Sequence, residues 1–293
     1  MRILFIGAVT FSAQVLRELI IMRANVVGVC TLRESEFNSD HEDLTPIAEN
    51  AGIPVRHTPK VNSPENVAWV RGLKPDVIFC FGWSRLIQSQ LLKLPPLGVI
   101  GFHPAALPAN RGRHPLIWAL VLGLKETASS FFFMDEGVDS GEILSQVTIP
   151  IDSTDDVGSL YQRVTDIAIG QLREFLPRLA TGEIQRIPQE HQLTNVWRKR
   201  TVKDGVIDWR MTAEDIHNLV RGLTHPYVGA HFDCARQQIK VWQTSIERDV
   251  PMNIEAGKVL AVDDDTILIK AGTGAIRLLV YTPKIHLKVG DYL

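Results

Sequence analysis

The sequence predicts an α/β fold, a doubly wound and mainly parallel sheet followed by a smaller β-rich domain. Three observations carry that expectation. Short apolar, β-branched runs alternate with amphipathic stretches through the first two-thirds of the chain, as strands joined by crossover helices do. The composition changes after Gln189. The tail then reads as strands separated by Asp and Gly turns, IKVWQTSI, GKVLAVDDDTILIKAG and AIRLLVYT, which describes a small antiparallel sheet or an open barrel.

In chain order, the strand runs fall at 3–6, 26–30, 77–81, 99–102 and 129–134. Between them, apolar residues at helical spacing mark helices at 12–22, 44–51, 64–72 and 115–123. A long helix follows at 156–180, with Asp155 and Asp156 suited to the positive end of its dipole. The stretch WRKRTVKDGVIDW, residues 197–209, is polar and rich in turn formers, and reads as the passage between domains. A helix at 212–223 has Thr212 as N-cap and Glu214 and Asp215 in its first turn. The boundaries that result are 1–195 for the first domain, 196–210 for the linker and 211–293 for the β-rich domain.

A chain of 293 residues allows one large or two modest domains. Hydrophobic content of 45% and charged content of 22% are those of an ordinary globular protein. The net charge of −2 leaves no global electrostatic footprint for a polyanion. Cys30, Cys80 and Cys234 have no paired spacing, and the first two sit in strand-like apolar runs, so they read as buried thiols rather than as a metal site or disulfide. Met1-Arg2 leads directly into a strand, and no apolar run approaches membrane-spanning length. The expectation is a cytoplasmic protein with no membrane partner.

Residues 101–141, GFHPAALPANRGRHPLIWALVLGLKETASSFFFMDEGVDSG, carry the chemistry. One apolar run delivers His103 into a Pro-Ala-Ala-Leu-Pro turn, and His103 before Pro104 is kept out of a helix. A second delivers Asp135, Glu136 and Asp139 into a glycine-rich turn. An imidazole and a carboxylate thereby reach one edge of the sheet, where open α/β folds bind ligands. Histidine titrates nearest working pH, which suits it to proton transfer. The alternatives are a hydrogen-bonded core histidine and a turn-capping aspartate.

The pattern HPxxLPxxRG, then Pro-x-x-Trp-Ala, then MDEGxDSG resembles the folate-dependent formyltransferase family, which includes methionyl-tRNA formyltransferase and the sugar N-formyltransferases. FIGAVTFSAQVLREL, DGVIDWRMTAEDIHNLVRGL and HPYVGAHF extend the likeness nearly end to end. It implies an OB-like tail, 10-formyltetrahydrofolate as co-substrate, a homodimer in some members, and an Asn-x-His site paired with a distant Asp. Here His103 and Asp139 match, but Gly101 stands at the Asn position. In the family that Asn shares oxyanion stabilisation, a contribution of about 3 kcal/mol for one donor. Asn110, His114 and Ser84 are the nearest polar substitutes by motif position.

The same resemblance places a pterin against residues 81–87. Phe81, Trp83, Arg85, Leu86 and Ile87, with Met134 and Asp135, then form the cofactor site; the alternative for Leu86 and Ile87 is core packing. Thr10 lies in a turn that opens a helix, where backbone N–H groups can meet an anion. Arg111, Gly112 and Arg113 suggest a clamp for a diphosphate, or a pair with Glu136 or Asp139. Tyr227 reads as a base-stacking or an interdomain packing residue. With an acidic segment at 33–44 and a single basic cluster, WRKRTVK at 197–203, the expected acceptor is a nucleotide-linked amino sugar, UDP- or dTDP-bound, with no nucleic acid. The other readings are a methionyl-tRNA formyltransferase and a non-catalytic folate or nucleotide-sugar binding protein.

Overall fold

A computed structural model describes residues 1–35 and 39–293; residues 36–38, inside the acidic 33–44 segment, lie outside it. The chain divides into two compact units. The first comprises Met1–Gly112, Ala128–Ile149 and Gln162–Trp197; the second comprises Arg113–Thr127, Pro150–Tyr161 and Arg198–Leu293. No described helix is long and apolar enough to cross a membrane.

The first unit is built on β1 (Arg2–Ile6), α1 (Thr10–Ile21), β2 (Asn25–Thr31), α2 (Thr45–Asn50), β3 (Val55–His57), α3 (Pro64–Leu73), β4 (Val77–Cys80), α4 (Ser89–Leu92) and β5 (Val99–His103). A two-residue strand β6 (Arg111–Gly112) follows; α5 (Pro115–Val121) belongs to the second unit. Then come β7 (Glu126–Phe133), β8 (Ile143–Pro150), α6 (Val157–Thr181) and β9 (Val196–Trp197). The sheet order is β3-β2-β1-β4-β5-β7-β8. Strands β1 to β5 pair in parallel, and β7 runs antiparallel to β5. The order reverses between β1 and β4, the topological switch at which such sheets bind ligands.

These strands are continuous apolar runs because helices cover a parallel sheet on both faces. Their core is aromatic: Phe5, Phe79, Phe81 and Phe131 are fully buried. Phe81 meets Phe5, Phe79 and Phe131 with ring centroids 5.8, 5.1 and 5.3 Å away, and Phe102 stacks on Phe11 at 4.2 Å. Cys30 and Cys80 are buried, and burial pushes both thiols up to about 12. Helix α1 begins two residues before the sequence suggests. Ser12 sits inside its first turn, where its hydroxyl donates to the Phe81 carbonyl at 2.6 Å and accepts from Val9 N–H at 3.3 Å. Strand β8, which the sequence reading lacked, alternates weakly and is exposed over much of its length.

In the second unit, α7 (Ala213–Leu223) and β10 (Ala230–Cys234), β11 (Gln237–Glu247), β12 (Val259–Asp263), β13 (Thr266–Lys270) and β14 (Ala275–Thr282) form an amphipathic helix and a five-stranded sheet. The sheet order is β10-β11-β14-β13-β12, all pairs antiparallel. Thr212 caps α7 as expected, accepting from Asp215 N–H at 3.1 Å. Helix α7 packs on β11 and α5. Residues 197–209 hold more structure than a solvated passage: Trp197 pairs with Gly112 across β9 and β6, and a single 3₁₀ turn spans Val202–Gly205.

Candidate active site

His103 is the last residue of β5, opposite Ser130 of β7. Ser130 Oγ donates to the Ala105 carbonyl at 2.6 Å, and Gln146 Nε2 donates to Ser130 Oγ at 2.8 Å and to the Leu107 carbonyl at 3.0 Å. The turn after the histidine is thus pinned from beneath. The imidazole is only 6% exposed. Its Nε2 lies 2.7 Å from the Asn110 carbonyl oxygen, which can only accept, so Nε2 bears hydrogen. Its Nδ1 lies 3.6 Å from Asp139 Oδ2.

Asp139 arrives from the turn between β7 and β8. Asp135 Oδ1 shapes that turn by accepting from Gly137 N–H at 2.9 Å and Ser140 Oγ at 2.6 Å. Gly141 is required there, because a Cβ at that position would lie 1.7 Å from the Phe133 carbonyl oxygen. Asp139 itself takes φ +47°, a left-handed conformation that costs a residue other than glycine roughly 1–2 kcal/mol. The backbone N–H of Gly112 donates to Asp139 Oδ2 at 2.9 Å. The same oxygen therefore faces both the strand β6 amide and the imidazole.

Behind this pair runs a polar network that the sequence did not announce. Gln189 Nε2 donates to the carbonyls of Asp139 (2.9 Å) and Gly141 (2.6 Å), while its Oε1 accepts from Arg111 Nη2 at 2.5 Å and Nε at 3.2 Å. Asn195 Oδ1 accepts from Asn110 N–H at 2.8 Å, and the Asn195 carbonyl accepts from Arg111 N–H at 3.1 Å. Gln189 and Asn195 are polar residues in a loop-like stretch, and neither carries a periodicity or motif that marks it.

Several expected site residues have other duties. Arg111 is buried, with its guanidinium committed to Gln189 and His191, so it does not clamp a diphosphate. Gly112 serves Asp139. Asn110 presents an acceptor to the imidazole, not the expected donor. The Thr10 hydroxyl and N–H both go to the Asp40 carbonyl, at 3.2 and 2.9 Å. Asp135 is a turn residue, and Glu136 lies 3.6 Å from Lys93. Arg113, His114 and Tyr227 belong to the second unit.

The position of Gly101 is filled by apolar atoms. A Cβ there would lie 2.9 Å from both Met134 Cγ and Phe132 Cζ. The three atoms nearest to that Cβ position belong to Met134 and Phe132.

The 81–87 segment divides by burial. Phe81 is fully buried and Ile87 is 2% exposed, so both belong to the core. Leu86 is 67% exposed. Trp83 and Met134 are half-buried against the cluster around Ile78 and Ile87. The indole Nε1 of Trp83 is buried with no partner among the described residues. Gly82, at φ +66°, turns the chain sharply after β4. Asn62 then clips the segment, donating to the Leu86 carbonyl at 2.8 Å and accepting from Gln88 N–H at 2.9 Å. Arg85 donates to the Pro59 carbonyl.

In the second unit, Arg198 and Arg200 lie over Trp118, their guanidinium carbons 5.4 and 4.6 Å from the ring centre, and Trp118 Nε1 donates to the Arg198 carbonyl at 3.0 Å. Asp204 pairs with Arg198, which holds its carboxyl well below the usual carboxylate range. His114, at the start of α5, is driven down to about 4, first by burial and then by Arg113, Arg200 and Lys199. Lys203 is exposed.

Residues 1–175 match the family model for formyl transferase, and residues 199–291 match that for the formyl transferase C-terminal domain. The chain belongs to the formyl transferase family. It is an enzyme, a formyltransferase that uses 10-formyltetrahydrofolate. It is 35% identical over 301 residues to the methionyl-tRNA formyltransferase of Citrifermentans bemidjiense, covering 100% of this chain and 93% of that protein. It is 32% identical to the methionyl-tRNA formyltransferase of Ruminiclostridium cellulolyticum, covering 100% and 96%. Among solved structures, an N-formyltransferase from Helicobacter canadensis, in complex with folinic acid and dTDP-3-aminofucose, shares the fold with a TM-score of 0.73. It is 16% identical, and the match covers 94% of this chain and 98% of that one.

These relatives overturn the expected acceptor. The amino-sugar reading rested on the acidic 33–44 segment and on a single basic cluster at 197–203, whereas relatives at 31–35% identity along nearly the whole chain are methionyl-tRNA formyltransferases. Those named as sugar enzymes match at 14–18% identity, a likeness of fold. The expectation that no nucleic acid is involved falls with it. The basic stretch 197–203 reads as a passage between domains, and its sequence alone does not tell solvation from a phosphate contact.

Proposed function

We propose that this formyltransferase acts on the amino group of methionyl-tRNA. What supports the reading is the likeness, at 35% identity along all of this chain, to a protein of that activity. In the basic stretch 197–203 of the sequence, Arg198 and Lys203 are exposed and offer cations for phosphate contacts. A cytoplasmic location goes with this reading.

10-Formyltetrahydrofolate supplies the electrophilic formyl carbon. Leu86, Trp83 and Met134 hold the flat ring, with Trp83 Nε1 as a donor toward it. Asp139 fixes the imidazole through Nδ1, which leaves Nε2 as the atom that exchanges a proton with the reacting groups. In the described conformation the Asn110 carbonyl takes the hydrogen of Nε2; a substrate group takes its place. With apolar atoms around Gly101, the hydrogen on His103 Nε2 is the side-chain donor for charge that develops on the formyl oxygen.

The test is a formylation assay with purified protein, 10-formyltetrahydrofolate and methionyl-tRNA, read on an acid-urea gel. A shift of the methionyl-tRNA band to the formylated species supports the reading. Release of tetrahydrofolate without that shift overturns it.

A further inference from the structure

We propose that Gln189 is a positioning residue for the reaction, one carboxamide that holds the Asp139 carboxylate in place against His103. The proposal rests on the assignment of His103 and Asp139 as the reacting pair. It joins two segments far apart in sequence. On one side Gln189 donates to the carbonyls of Asp139 and Gly141, the residues that carry the left-handed turn. On the other it accepts from Arg111. Gly112, the next residue, supplies the N–H that grips Asp139 Oδ2. The turn that delivers the carboxylate and the amide that aims it therefore share one support.

The same return segment reaches the imidazole. Asn195 holds Asn110 and Arg111 through their backbone N–H groups, and the Asn110 carbonyl is the partner of His103 Nε2. A strained turn persists only where its surroundings over-determine it, and here Gln189, Gly112 and Asp135 do so. Gln189 is buried, 7% exposed, and its carboxamide is taken up by the Asp139 and Gly141 carbonyls and by Arg111.

The side-chain chemistry is specific. Only a primary amide donates to two carbonyls while it accepts from a guanidinium. Glutamate would keep the Arg111 partner, as a charge-assisted pair, but would turn acceptor oxygens toward two carbonyl oxygens. Methionine would fill the volume and lose both sets of bonds. The two replacements thus separate the tie to Arg111 from the tie to the Asp139 turn.

The experiment compares Gln189→Glu, Gln189→Met, His103→Asn and Asp139→Asn in the full chain, with kcat, KM for each substrate, thermal melting and amide exchange at Gly112 as readouts. A carboxylate displaced by about 1 Å costs on the order of 10²-fold, so kcat should fall by about that much in both Gln189 variants. KM should stay within about twofold, since transition-state contacts alone are lost. Gly112 N–H should exchange faster, and Gln189→Glu, which keeps the Arg111 pair, should melt below the parent but stay folded at the assay temperature. A Gln189→Glu enzyme with parental kcat, beside an inactive His103→Asn, overturns the positioning role alone. Losses in kcat that track the melting temperature, or KM rising in step, overturn it as well. Parental kcat in His103→Asn and Asp139→Asn overturns the reacting pair and the role of Gln189 together.

Discussion

Around His103 the neighbours are a carbonyl oxygen at Nε2 and one carboxylate at Nδ1, and that carboxylate is itself held by a backbone amide. Around His114, in the other unit, the neighbours are cations: Arg113, Arg200 and Lys199. The first histidine is oriented by groups that leave one nitrogen to exchange a proton. The second is kept neutral by burial and by like charge. For His114 burial is the larger cause, and the three cations add to it against the opposing Asp204. A contrast also separates the arginines. Arg111 is spent on a neutral carboxamide and Arg200, also buried, on the Asp204 carbonyl, whereas Arg198 pairs with Asp204 while its side chain stays exposed.

The largest effect tests the proton-exchanging side of the comparison. His103→Asn should lower kcat by on the order of 10²–10⁴-fold, as loss of a general acid-base group does, with folding intact by circular dichroism. A parental rate would place the reactive group elsewhere. Gly101→Asn comes next. The space it needs is filled by Phe132 and Met134, so restoring an amide there should destabilise the chain by about 1–3 kcal/mol and lower activity, measured by denaturant melts and turnover. A gain in rate would mean that the apolar filling yields and a donor was missing.

On the cationic side, Lys203→Ala should weaken methionyl-tRNA binding and cut the dependence of log K on log salt by about one, with KM for the folate co-substrate unchanged. An unaltered salt slope would leave Lys203 as mere solvated surface. His114 gives the pH test. Its native value of about 4 lies below the ordinary 6.5, so between those values the unfolded chain binds a proton that the folded chain does not. Stability therefore rises with pH across that window and is lost as pH falls from 6.5 toward 4. His114→Gln should flatten the melting temperature against pH there. An unchanged slope would assign the loss to other groups. The smallest effect concerns thiols: with Cys30 and Cys80 pushed up to about 12 and buried, native protein at pH 8 should alkylate at Cys234 alone, and at all three cysteines once denatured.

That His103 and Asp139 come together was legible in the sequence for a physical reason. His103 and Asp139 each follow an apolar run, and a strand end beside a turn is a place that sequence punctuation marks well. The parallel core was legible likewise, since β1, β2, β4 and β5 are uninterrupted apolar runs. What stayed hidden depends on direction rather than type. Phe81 and Ile87 looked like walls for a ring because apolar residues at a strand end read the same whether they face a ligand or the core; burial sends both inward and leaves Leu86 outside. Arg111 looked like a phosphate ligand because a guanidinium gives no sign in sequence that a glutamine 78 positions away will take it. The acceptor was misread because the basic stretch 197–203 reads as a solvated linker, and one short cluster in sequence does not say what it meets.

A single-turnover transfer of labelled formyl from 10-formyltetrahydrofolate to methionyl-tRNA, with parent enzyme and Asp139→Asn at equal tRNA occupancy, tests the central claim most directly. The account predicts rapid labelling by the parent and a rate lower by on the order of 10²-fold or more in the variant, with tRNA affinity unchanged. Equal rates in the two proteins, or a parent that leaves methionyl-tRNA unlabelled, would contradict it.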